Sequence, residues 1–195
     1  MTLIHIAVFS TLALLYAVLV RGRWRAWALL AISVVAVYWL QPFIDVRYLD
    51  FAFPTATLLI AIGGWAVTKP RDADTPSPIF TRDDLKTLIV VLGLVLAVAA
   101  TRYLAPALRP TASRPPPIET VILGLALGVA LIYGLARAIK GRRLVQAAIF
   151  AIIITFAIFK TEALATWLAA LLRQNAGADP TLATPIDLTW LGFSY

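Results

Sequence analysis

Few side chains in this sequence could do chemistry, and they lie far apart. Asp45, Arg47 and Asp50 fall within six residues, beside Tyr48, Phe51 and Phe53. Two carboxylates around one guanidinium can hold a hydroxyl or an amine at a membrane surface, although such charges ordinarily pair with one another and with lipid headgroups. His5 is the single histidine. A neutral imidazole near the end of an apolar run could ligate a metal or a chlorophyll-type magnesium. With no second histidine and no carboxylate beside it, His5 reads as an interfacial polar residue. Lys160 and Glu162 stand two residues apart, which puts them on different faces of a helix, so lysine snorkelling is the simpler reading. The basic run Arg137, Lys140, Arg142 and Arg143 could bind anionic lipid or phosphate, though ordinary topology signalling accounts for it completely. Gly124 and Gly128 form a GxxxG step that would let another helix approach closely.

Other chemistries are excluded. The chain has no cysteine, hence no disulfide, thiolate metal site or cysteine nucleophile. It carries no phosphate-binding glycine loop, no HExxH, no GxSxG and no carboxylate pair inside an apolar run. No cofactor, no metal site and no catalytic constellation is expected.

These side chains are carried by a chain built for a bilayer. Of its 195 residues 61% are hydrophobic and 14% charged, against roughly 25% charged in a soluble domain. Mean hydropathy is +0.87. A hydrocarbon core of about 30 Å needs roughly 20 apolar residues in a helix. Six runs approach this, over approximately 3–20, 26–41, 48–68, 82–104, 117–137 and 144–160. The first is followed, not preceded, by its arginines (Arg21, Arg23, Arg25), which argues against a cleavable signal peptide. Pro54 lies in the first turn of the third run or kinks it. Thr81 with Asp84 three residues on predicts a capped start for the fourth, and Pro115–Pro117 with Glu119 a start for the fifth. The Pro- and Asp-rich stretch from Lys69 to Lys86 is the longest polar loop. Beyond Lys160, Leu164, Trp167, Leu168, Leu171 and Leu172 recur at steps of three and four, predicting an amphipathic interfacial helix over 161–173. One straight helix from Leu144 to Leu172 would be about 43 Å long, too long for the core, so a bend near Lys160 is expected. Residues 186–195 look like the opening of a seventh span. The fold class is therefore all-α, a polytopic membrane protein of about six transmembrane helices in one domain.

The net charge of +7 follows from orientation. With the amino terminus outside, eleven bases and four acids face inward, whereas six bases and six acids face outward. The positive-inside rule selects this topology over its inverse. The basic excess therefore points to no nucleic-acid partner. Membrane lipids, and other transmembrane subunits of a larger complex, are the partners expected.

Three stretches together resemble the amino-terminal part of bacterial membrane-bound O-acyltransferases. They are Arg47-Tyr48-Leu49-Asp50-Phe51 continuing through Pro54-Thr55-Ala56-Thr57, then Phe159-Lys160, similar to the family's Phe-Lys-Tyr with Thr161 in place of the aromatic, and Leu191-Gly192-Phe193-Ser194-Tyr195, similar to Leu-Gly-x-Ser-Tyr. Their order and spacing match the family. The resemblance implies a bacterial inner-membrane location and a role in acyl transfer to the hydroxyls of carbohydrates, lipids or cell-wall polymers. The family's catalytic histidine lies in a later membrane segment, onto which His5 does not map. The chain is then either part of a longer enzyme or a shortened relative that keeps the scaffold, and on its own it should not transfer acyl groups. The alternative is a small accessory subunit that packs against partner helices, lipids or pigments.

Overall fold

A computed structural model describes residues 3–22, 24–68, 81–138 and 142–191. Among these there are seven α-helices, three short 3-10 turns and no strand. The helices are α1 (Leu3–Leu19), α2 (Trp24–Leu40), α3 (Leu49–Thr68), α4 (Arg82–Leu104), α5 (Ile118–Ala138), α6 (Arg142–Lys160) and α7 (Glu162–Asn175).

The local chemistry of the helix ends accounts for their positions. At the start of α4 the Thr81 hydroxyl accepts from the Asp84 amide at 3.3 Å, and the Asp84 carboxylate accepts from the Thr81 amide at 2.8 Å. This reciprocal cap satisfies two amides that the first turn leaves unpaired. Asp83 and Asp84 in the first turn and Arg102 in the last complement the helix dipole. In α5, Glu119 and Arg137 do the same. Pro54 lies inside α3 and has no N–H for the Asp50 carbonyl. Just past it the Thr55 and Thr57 hydroxyls donate back to the Phe51 and Phe53 carbonyls, at 2.8 and 3.0 Å.

α2, α3, α4 and α5 pack around one apolar centre that includes Val34, Tyr38, Phe51, Val95, Ala99 and Leu125. α1 lies against α2, with the Tyr16 hydroxyl donating to the Arg25 carbonyl at 3.1 Å. A second apolar centre joins Ile44, Val46 and Phe53 to Ala165, Ala169, Leu188 and Trp190.

Among the described residues two helices, α4 and the Ile118–Leu135 part of α5, are long and apolar enough to cross a membrane. α6 and α7 add a third candidate if the pair, bent by 91° at Thr161, counts as one broken span. This is fewer than the six expected. For α1 and α2 the physical reason is length: each has 17 residues, about 26 Å of helix, α1 stopping before the Gly22 turn and α2 at the Gln41-Pro42 corner. α3 has 20 residues, of which Leu49–Trp65 is the apolar stretch found among the described side chains. Where a seventh span was expected to open at 186, Pro185–Leu188 forms a 3-10 turn. Residues 192–195 and most of the polar loop lie outside the described residues.

Candidate functional site

The polar side chains gather at the end of the bundle where α2 gives way to α3 and α4 to α5. The connecting segment alternates, with Ile44 and Val46 buried and Phe43, Asp45 and Arg47 exposed. That alternation turns Asp45 and Arg47 to the same outer face. Tyr48 follows with φ +67°, a left-handed conformation that costs a non-glycine residue about 1–3 kcal/mol. The Arg47 guanidinium lies 4.6 Å from the centre of its ring, and Arg47 Nη2 donates to its hydroxyl at 2.6 Å. From this corner α3 begins, the Tyr48 carbonyl accepting from the Ala52 amide at 2.9 Å.

Asp50, in the first turn of the helix, is 1% exposed. Its two oxygens accept from the Ser113 amide at 2.6 Å and the Ser113 hydroxyl at 2.7 Å. A serine hydroxyl on a carboxylate is one half of an activated nucleophile, but here the same carboxylate also holds the serine's own amide. The pair thus pins the 110–117 connection to α3, and the Thr111 hydroxyl tightens that turn by donating to the Ser113 carbonyl at 2.7 Å. Arg102, near the end of α4, donates to the Pro115 carbonyl.

The three residues of the expected polar cluster therefore take separate partners. Asp45 reaches toward Arg173, 3.8 Å away; Arg47 stacks on Tyr48; Asp50 is turned inward to Ser113. Asp45 and Arg47 still share a pocket of about 360 Å³ with Tyr48, Arg102, Ser113 and Arg114. In the sequence Arg102 is legible only as an outward base near the end of the fourth run, and Ser113 and Arg114 only as residues of the connection that follows it. Nothing local announces that this connection folds back onto the α2–α3 corner.

Tyr48 also caps an apolar groove of about 320 Å³ between α3 and α5, lined by Ala52, Ala56, Leu59, Val121 and Gly124 among others. The two glycines of the GxxxG step differ in use. A Cβ at Gly128 would lie 2.6 Å from Leu59 Cδ1, so this glycine admits α3. A Cβ at Gly124 would meet nothing within 4 Å, and the residue faces the groove.

Beside this site the end of the described chain docks onto the bundle. Gln41, buried at the end of α2, donates from Nε2 to the Thr189 carbonyl at 2.6 Å and accepts at Oε1 from the Leu191 amide at 3.1 Å. Trp190 stacks on Phe53, centroids 4.8 Å apart and planes 5° apart, and donates to the Thr57 hydroxyl at 2.8 Å. Phe159 meets both rings edge-on, 6.2 Å from Phe53 and 5.7 Å from Trp190. Arg173 and Asp187 pair nearby. Burial acts to raise the Asp187 carboxyl, but hydrogen bonds from Arg173 and the Thr184 amide, with the guanidinium charge, outweigh it and hold the group below the usual carboxylate range.

Of the remaining candidates, His5 lies on α1, and its side chain is outside the described residues. Lys160 closes α6 and Glu162 opens α7, on either side of the 91° bend. In the basic run, the Arg137 guanidinium sits 4.9 Å from the Tyr133 ring centre, Arg142 and Arg143 open α6, and Lys140 lies outside the described residues. Among the described residues no three histidine or acidic side chains converge as metal ligands would. No protein family, curated protein or solved structure matches the chain.

Proposed function

We propose that these helices are the amino-terminal membrane scaffold of an O-acyltransferase that acylates a hydroxyl acceptor, with the catalytic histidine supplied by sequence outside these 195 residues. One observation carries the reading. Phe53 and Thr57 from the first stretch of the resemblance and Phe159 from the second meet in one aromatic cluster with Trp190, the residue just before the third, and of that third stretch Leu191 alone lies among the described residues. Distant segments that share a motif pattern and also a contact are what a common structural unit produces. The role of the scaffold is to hold the bend at Thr161 and the segment after Leu188 against α3, so that a following membrane segment starts from a fixed point.

In this reading α1 to α6 each cross the membrane, the 17-residue α1 and α2 with local bilayer thinning. The amino terminus is outside, α7 lies at the interface, and the membrane is a bacterial inner membrane. Because the chain has no cysteine, single substitutions report topology directly. Arg109→Cys should react with an impermeant maleimide added outside intact cells, and Arg143→Cys only after permeabilisation. The reverse pattern would overturn the orientation.

The activity test uses a labelled acyl thioester and hydroxyl acceptors with the 195-residue protein in proteoliposomes, beside the product of the coding sequence read through position 195. Transfer only by a longer product, abolished when a histidine in its added part is changed to alanine, is the expected result. Transfer by the 195 residues alone would overturn it.

The second reading is an accessory subunit packing against partner helices. The open face of Gly124 favours it, since a small residue with nothing within 4 Å of its Cβ position leaves room for close approach. A native protein of 21.2 kDa that copurifies with fixed partners would support this reading against the first.

A further inference from the structure

The polar pocket and the apolar groove described above are neighbours with a shared wall. Tyr48 lines both. On one side stand Arg47, Arg102 and Arg114, brought together from the α2–α3 connection, the end of α4 and the α4–α5 connection. Against three guanidiniums the pocket wall sets one carboxylate, Asp45, which leans toward Arg173 at 3.8 Å. Asp50 lies behind the wall with both oxygens held by Ser113. The mouth of the pocket is therefore cationic, and it has the planar donors that suit a phosphate group.

On the other side of Tyr48 the groove runs along α3 to Leu59. Eleven residues of helix rise about 16 Å, close to half of a hydrocarbon core of about 30 Å. This is the depth of one leaflet. The groove stays open because its walls are small, with Ala52 and Ala56 on α3 facing Gly124 on α5, while Leu59 closes its far end by packing over Gly128.

We propose that this composite surface binds a single membrane lipid with an anionic phosphate headgroup, its phosphate among Arg47, Arg102 and Arg114 and one acyl chain in the α3–α5 groove. A head alone would leave the groove open, and a lipid without net negative charge would leave the positive excess of the pocket uncompensated. The headgroup end of one leaflet and the length of one acyl chain are matched together. Tyr48, fixed under Arg47 in its left-handed conformation, is the divider between them.

The experiment is native mass spectrometry of the purified protein released from detergent with equal phosphatidylglycerol and phosphatidylcholine of the same chains, and separately with inorganic phosphate. The expected result is one phosphatidylglycerol retained in preference to phosphatidylcholine. Retention should fall at least about tenfold in Arg47→Gln/Arg114→Gln, both being exposed loop residues near the headgroup. It should fall comparably in Gly124→Leu, whose side chain enters the groove where nothing else stands. Lys86→Gln, at the other end of α4, should retain lipid as the parent does, and Arg47→Lys/Arg114→Lys should recover part of the loss. Equal retention of the two lipids by the parent protein would overturn the proposal. So would unchanged phosphatidylglycerol binding in Gly124→Leu, or inorganic phosphate displacing the lipid, since either would mean that the arginines take an anion without its chain.

Discussion

Arg173 and Asp187 face each other through a two-pronged ion pair, Nε to Oδ2 at 2.7 Å and Nη2 to Oδ1 at 2.9 Å, with both side chains buried. The planar guanidinium matches the carboxylate fork, the strongest form of this contact. It ties the last turn of α7 to the 3-10 turn at Pro185–Leu188. Asp187→Asn leaves the buried guanidinium with only the more distant Asp45 and Asp179, and a half-broken buried pair is worse than none. The 176–191 segment should loosen, seen as faster limited proteolysis there and a melting temperature lower by several degrees. Arg173→Lys, which keeps the charge but not the fork, should fall between.

The same pair sets a pH dependence. Asp187 titrates below the ordinary carboxylate range in the folded protein, so the folded state holds fewer protons than the unfolded one as acid is added. Its contribution is complete above the unfolded value of about 4 and is lost as pH falls through the lowered folded value. Melting in detergent should therefore be steady with regard to this group at neutral pH and decline in acid. Asp187→Asn should flatten part of that decline while lowering stability at neutral pH. A decline of the same size in the variant would contradict the assignment.

Trp190 offers a graded test of the aromatic cluster. Trp190→Phe keeps a ring on Phe53 but loses the bond to the Thr57 hydroxyl, a hydroxyl that still donates to the Phe53 carbonyl. The expected cost is about 1 kcal/mol. Trp190→Ala removes the stack and leaves a cavity beside Phe159, for about 3 kcal/mol. Chemical unfolding followed by far-UV circular dichroism would separate the two.

The two glycines of α5 should answer oppositely to the same change. Gly124→Ala adds a methyl where nothing lies within 4 Å and gains helix propensity, up to about 1 kcal/mol. Gly128→Ala must push Leu59 aside, which cancels that gain. Gly128→Ile should cost about 2 kcal/mol through overpacking. Equal effects at the two positions would mean that α3 and α5 are not in this register.

How much of this was legible in the sequence depends on the range of the interaction. The Thr81–Asp84 cap and the proline-led start of α5 are local, and the pattern of residue types announces them. The positions of the seven helices follow from apolar runs and their breaks. The number of spans does not, because apolarity says a helix is buried in something, not that it is long enough to cross a bilayer. Contacts between distant residues left no local trace. Asp50 with Ser113, Gln41 with Thr189, and Arg47 beside Arg114 each join segments tens of residues apart or more. In a periodicity reading Ser113 is a loop serine, and Arg114 is one more outward charge.

Gln41 grips the main chain of Thr189 and Leu191 rather than their side chains. The grip is therefore indifferent to which residues stand at those positions and strict about how many separate them from Asp187. An inserted residue between Gly177 and Thr184 can bulge outward and be absorbed. One between Asp187 and Leu191 would slide Trp190 off Phe53 or pull the backbone from the amide. This corner of the protein works as a ruler, free in spelling but fixed in count.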